Sequence, residues 1–86
     1  MNINELIAIV KNKLETEIVI QNLQIEDKSF IHKNHKGHQE GKFHLKLTIN
    51  SYELAKISKI ASTKKIYSTL DMELKKYIHS IQILLN

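Results

Sequence analysis

The hydrophobic period changes along this chain, and that change limits the fold more than any other sequence feature. Residues 43–50 alternate strictly between apolar and polar side chains, the period of a strand with one face on a core. In the ranges 3–14 and 60–77, apolar residues recur at three- and four-residue spacing, the period of an amphipathic helix. A chain of this kind can bury one sheet face under helices. We therefore expect an α+β fold.

The same patterns place the individual elements. Asn2 and Glu5 have the spacing of an N-cap and its return partner, which marks the start of the first helix. The predicted elements are a helix over 3–14, a strand over 17–27, a strand over 43–50, a turn over 51–56, a helix that begins near 58–62 and reaches 77, and a strand over 80–85. The expected order is α-β-β-α-β.

The length of 86 residues leaves room for one modest core, because a domain near this size buries only about 60% of the surface that its unfolded chain exposes. No internal repeat, low-complexity run or linker divides the chain, so we treat residues 1–86 as a single domain. The first residues lack the features of a signal or transit peptide, and no apolar run is long enough for a membrane span. We expect a cytoplasmic protein, or an organelle matrix protein after processing.

Function is expected in the segment 28–41, where apolar residues nearly vanish and both glycines of the chain occur. Three of the five histidines, His32, His35 and His38, lie there at intervals of three, and His79 lies where the last helix meets the last strand. Imidazole binds zinc, copper and iron well. A solvated loop with a capping His79 explains the spacing equally well. A closed zinc site is disfavoured, because such sites show paired Cys or His spacings.

Enzymatic activity is not expected. The chain has no cysteine, so a metal could bind only through His or carboxylate side chains. A Ser–His–acid set can be assembled from Ser29, His44 and Asp27, but no nucleophile elbow or glycine-rich phosphate loop accompanies it. We interpret His44, which lies mid-strand on the face opposite Phe43 and Leu45, as structural.

The formal charge of +4 comes from lysine alone, since the chain has no arginine. Arginine presents a planar fork that binds phosphates and guanine edges through two hydrogen bonds, whereas lysine provides a single point charge. A lysine-only surface supports diffuse, salt-sensitive attraction to nucleic acid. The basic composition is therefore only weak support for a nucleic-acid-binding role.

Three stretches of the chain carry a family resemblance: 27–32 with His35, Gly37, His38 and 43–47; 66–70 with Glu73 and Leu74; and 78–81. They resemble, in order, the acidic-Ser-His loop of the BolA-like family with its extension and next strand, the middle of that family's long helix, and its C-terminal His. The match runs over nearly the whole chain. The resemblance implies a three-stranded mixed sheet packed by helices, similar to a type II KH fold without its Gly-x-x-Gly loop.

The resemblance also implies a partner and a cargo. BolA-like proteins pair with a monothiol glutaredoxin and share a [2Fe–2S] cluster with it, while glutaredoxin and glutathione supply thiolates. The ligands on the BolA-like side are the C-terminal His, here His79, and a loop His or Cys. Because the chain has no Cys, position favours His32, with His35 and His38 as substitutes. The implied role is iron–sulfur cluster assembly or trafficking, with no cofactor in the isolated protein.

One departure from the family pattern bears on its other assigned role, nucleic-acid-binding transcriptional regulation. Where the family usually has Arg-His-Arg at the start of the long helix, residues 62–64 are Ser-Thr-Lys. This removes two guanidinium groups and leaves Lys59, Lys64 and Lys65 as the basic side chains. Transcriptional regulation through weak nucleic-acid binding is therefore the alternative function. Whether the chain forms a homodimer stays open.

Overall fold

The computed structural model describes residues 1–29 and 42–86, which form four helices and three strands. In chain order, the elements are α1 (Ile3–Glu17), β1 (Asn22–Asp27), β2 (Phe43–Asn50), α2 (Tyr52–Ala55), α3 (Lys59–Thr69), α4 (Asp71–Lys76) and β3 (Ile78–Leu85). The predicted α+β class is confirmed, and β2 has the predicted bounds. The turn predicted over 51–56 contains the short helix α2, which begins because Ser51 Oγ accepts the Leu54 main-chain N–H.

Helix α1 begins where its capping residues predict. Asn2 Oδ1 accepts the main-chain N–H of Glu5 at 2.9 Å, and the Asn2 side-chain amide donates to the Glu5 carboxylate at 2.7 Å. The first bond satisfies a main-chain donor that the first helical turn leaves open, and the second holds the capping side chain in place. Leu6, Val10 and Leu14 are fully buried, so the predicted apolar stripe is the face that packs on the core.

The strand predicted over 17–27 is too long at its start, because α1 continues to Glu17 and β1 begins at Asn22. The β-branched run at 18–20 has strand composition but connects the two elements. Ile18 leaves the helix in an extended conformation and is buried in the core. Tertiary packing therefore overrides local β-propensity here.

Strand β2 is the centre of the sheet, antiparallel to β1 and parallel to β3, so the expected mixed sheet is confirmed. One face of β2 carries Leu45, Leu47 and Ile49, which are buried in the same core as the apolar stripe of α1. Burying one such side chain contributes roughly 2 kcal/mol. The opposite face carries His44 and the half-buried Lys46 and Thr48.

The pairing of β2 with β3 shifts by one residue at the start of both strands. Phe43 pairs with Ile78 and His44 pairs with Ser80, so His79 is an extra residue on β3. This β-bulge lets Ile78 and Ile81 both pack on the core, while His79 and Ser80 both stay exposed. The strand predicted over 80–85 therefore begins two residues earlier, because the bulge interrupts the alternation that would reveal it.

The long helix predicted to reach residue 77 is divided at Leu70 into α3 and α4. Its start agrees with the prediction, since Ser58 caps α3. The Thr69 hydroxyl donates to the Lys65 carbonyl at 2.8 Å, a side-chain bond to the preceding turn that often bends helices. Within 1–29 and 42–86, no helix is long and apolar enough to cross a membrane.

An ion pair between the partly exposed Lys13 and the buried Glu73 joins α1 to α4. Glu73 is only 4% exposed, and Lys13 Nζ lies 3.0 Å and 2.7 Å from its two carboxylate oxygens. A carboxylate removed from water needs such compensation, since an unpaired buried charge is strongly destabilising. The pair therefore holds the two helices in a defined position over the core.

Replacing Lys13 with Met is expected to lower the free energy of unfolding by about 1–2 kcal/mol, because the Glu73 carboxylate stays buried without its cation while Lys13 is itself partly solvated. The measurement is urea unfolding followed by far-ultraviolet circular dichroism. Lys11→Met is the matched control on the same helix, since its pair with Glu15 is exposed, and should change stability by less than about 0.5 kcal/mol. Equal effects of the two substitutions would contradict this account.

Candidate functional site

Two histidines from different strands meet at the β-bulge. His79 is exposed at the start of the edge strand β3, while His44 at the start of β2 is only 4% exposed. Their ring centroids lie 4.7 Å apart with an angle of 63° between the ring planes, an edge-to-face contact. The structure thus places the predicted ligand His79 at an accessible position and brings a second imidazole against it.

Hydrogen bonds join His44 to residues on both neighbouring segments of the chain, the start of β3 and the residues after β1. Its Nδ1 lies 2.6 Å from Ser80 Oγ, and the donor in this bond depends on the imidazole tautomer. Its main-chain N–H donates to Ser29 Oγ at 3.0 Å, and its carbonyl accepts the Lys28 N–H at 2.7 Å. His44 therefore connects the residues that follow β1 with the start of β3.

The residues that precede the histidine-bearing segment have a defined geometry. The Asp27 carboxylate accepts the Ser29 main-chain N–H at 2.9 Å, an arrangement that turns the chain just after β1. Ser29 is in turn bonded to His44, so the chain is anchored to β2 three residues before His32. His32, His35 and His38 themselves lie outside the described residues, and their role as ligands stays a prediction.

The contacts of Ser29, His44 and Asp27 are not those of a catalytic relay. The Asp27 carboxylate binds a main-chain N–H, and Ser29 Oγ binds the main chain of His44. The imidazole Nδ1 of His44 lies against Ser80 instead. In the ranges 1–29 and 42–86, no group of three or more His, Cys, Asp or Glu side chains is placed to hold a metal ion.

Sequence reasoning does not predict the contact between His44 and His79. The burial of His44 agrees with its interpretation as structural, but its ring also packs on the predicted ligand. The available signal was weak: His44 lies within the strand predicted over 43–50, and His79 directly precedes the strand predicted over 80–85. Only a parallel pairing of those strands brings the two starts to the same edge of the sheet.

Comparison with known proteins now identifies the family. Residues 14–86 match the family model described as BolA-like protein. The chain belongs to the BolA-like family. No curated protein sequence matches it.

Solved structures of BolA domains share this fold. The BolA domain of SufE1 from Arabidopsis thaliana is 28% identical, with 100% of this chain and 93% of that chain covered and a TM-score of 0.78. BolA1 from Arabidopsis thaliana is 24% identical, with 92% and 87% covered and a TM-score of 0.76. The solution structure of BolA1 from Mus musculus is 19% identical, with 90% and 60% covered and a TM-score of 0.71.

The lysines of the predicted nucleic-acid surface all lie on α3 and are exposed: Lys59, Lys64 and Lys65. The ammonium group of Lys65 donates to a carboxylate oxygen of Glu53 at 2.8 Å, so one of the three charges has an anionic partner within this BolA-like domain. This hydrogen bond from Lys65 holds the pKa of Glu53 below its ordinary value of 4.5.

The lowered pKa of Glu53 predicts a pH-dependent contribution to stability. Folding favours the carboxylate, so the contribution is present above 4.5 and is lost as the pH falls through the lower pKa of the folded state. We expect the stability difference between wild type and Glu53→Gln to be larger at neutral pH and to shrink in acid. Urea unfolding over a pH series measures it. In a Lys65→Met background, the same substitution should show little of this pH dependence.

Proposed function

We propose that this BolA-like domain is a non-enzymatic factor in iron–sulfur cluster assembly or trafficking, which shares a [2Fe–2S] cluster with a monothiol glutaredoxin. The observation that carries the proposal is the exposed imidazole of His79, held at the sheet edge by a β-bulge and by the ring of His44. An accessible and oriented imidazole suits a ligand that completes the coordination of a partner's metal group.

The composition of the chain supports a shared cluster over one that this domain holds alone. Iron–sulfur clusters are usually held by thiolates, and this chain has none. Glutaredoxin and glutathione would supply the thiolates, His79 would supply one imidazole, and His32 would supply the second, with His35 or His38 as substitutes. Ser29, three residues before His32, is bonded to His44 of β2.

Imidazole ligation suits a cluster that is passed on rather than retained. Replacing thiolates by imidazoles on one iron raises the reduction potential, as in Rieske centres. Because imidazole must be neutral to bind metal, its ligation also weakens as the pH falls. The contribution of this chain is therefore to present ligands in a fixed place, and it performs no bond-making step on the cluster.

Replacing His79 with Ala is expected to abolish the shared cluster. The purified chain is mixed with a monothiol glutaredoxin that carries its cluster, and visible absorption and circular dichroism are recorded. Wild type should produce a new spectrum, and His79→Ala should leave the glutaredoxin spectrum unchanged because one iron ligand is missing. Gln82→Ala, at another exposed position of β3, is the control and should behave as wild type. His32→Ala then tests the second ligand.

An unchanged spectrum with wild type, using a glutaredoxin shown to be competent, would reject the shared cluster and favour the alternative, a nucleic-acid-binding transcriptional regulator. That alternative depends on Lys59 and Lys64, since Lys65 is paired with Glu53. Two phosphate contacts predict a plot of log affinity against log salt with a slope of about −2. A regulator would show a sequence preference in addition to this salt dependence.

A further inference from the structure

His44 is buried on a face of the sheet where its neighbours are not. Lys46 and Thr48 follow it on the same face of β2 and are half-buried, whereas His44 is 4% exposed. The apolar core lies on the other face of this strand. A polar ring removed from water is costly unless its contacts compensate. The ring of His44 contacts Ser80 through Nδ1 and packs on the ring of the exposed His79.

Those contacts act on His79 in two ways. The bond between Nδ1 of His44 and Ser80 Oγ holds the residue that follows His79, and therefore restrains the backbone of the bulge. The ring of His44 lies edge-to-face against the His79 ring, which limits the rotamers that an exposed side chain otherwise samples. His44 is itself held by Ser29 and Lys28 through its main chain, so it forms a fixed support.

We propose that His44 is the positioning residue of this site: it orients the imidazole of His79 for the partner's metal group and is not itself a ligand. The inference deepens the proposed function and rests on it for the metal, while the orientation of His79 belongs to the isolated chain. A ligand oriented before its partner arrives loses less freedom on binding, and groups that orient metal ligands commonly change metal affinity by roughly 10–100-fold.

The first test uses the isolated protein and nuclear magnetic resonance. In wild type, cross-peaks should join the ring protons of His44 and His79, and the His79 ring should show a single restrained orientation. Ser80→Ala removes the hydrogen-bond partner of Nδ1 and should release the His79 ring, whereas Ser80→Thr retains a hydroxyl and should preserve the wild-type pattern. An equally restrained His79 ring in Ser80→Ala and in His44→Asn would overturn the proposal.

The second test uses the mixture with cluster-bearing glutaredoxin. His44→Asn keeps a polar atom near the position of Nδ1 but removes the ring, so the shared cluster should still form, with altered visible circular dichroism and roughly 10-fold weaker affinity. Ser80→Ala should behave similarly, and Ser80→Thr should restore the wild-type spectrum. Thr48→Ala on the same face of β2 is the control, and urea unfolding of every variant separates loss of position from loss of fold.

The outcomes distinguish the two proposals. Wild-type spectra and affinities for His44→Asn and Ser80→Ala would overturn the positioning role, while His79→Ala still decides the shared cluster. Loss of the spectrum in His44→Asn as complete as in His79→Ala, with the fold intact, would make His44 a ligand and also overturn it. If wild type shares no cluster, the proposed function fails, and the nuclear magnetic resonance test alone decides whether His44 orients His79.

Discussion

The pairing of β3 with the central strand β2 is the interaction on which the rest of this structure depends. Parallel strands need a crossover connection, and α2, α3 and α4 supply it. The crossover lies against the sheet face that carries Leu45, Leu47 and Ile49, so the same pairing builds the core. Because parallel strands begin at the same edge of a sheet, it also brings His44 and His79 together.

The β-bulge between β2 and β3 allows apolar residues of β3 to pack on the core while His79 remains exposed. Regular alternation after Ile78 would direct Ser80 to the core and Ile81 away from it. The extra residue lets both isoleucines pack on the core and leaves His79 and Ser80 on the accessible side. Bulges often redirect side chains next to functional sites, and here one accounts for the exposure of the predicted ligand.

Two lysines of the chain are paired with carboxylates of the same domain. This bears on whether a nucleic acid or a cluster-bearing protein is its partner. Lys13 of α1 pairs with the buried Glu73, and Lys65 of α3 is bonded to Glu53 of α2. This pairing leaves the formal charge of +4 unchanged, but it takes up Lys65, so Lys59 and Lys64 are the α3 lysines that remain for contact with a polyanion. The histidine site at the start of β3 does not depend on that charge.

Local sequence patterns predicted several bounds that have local causes, although the short helix capped by Ser51 and the division of the long helix at Leu70 were not predicted. The Asn2 and Ser58 caps, the alternation of β2 and the apolar stripe of α1 each act within a few residues, and the structure follows them. The predictions were wrong where packing decided: at residues 18–20, whose β-branched side chains connect two elements, and at the start of β3.

The sequence by itself determined the α+β class, the order of the three strands with a helical connection before the last, the family resemblance and the candidate ligand His79, because periodicity, capping and short motifs are local properties of a chain. Only the tertiary structure decided that His44 supports His79, that Ser80 and Ser29 hold His44, and that a bulge exposes the site. These contacts join residues far apart in sequence, and they depend on strand direction and register, which are set by how the whole core packs.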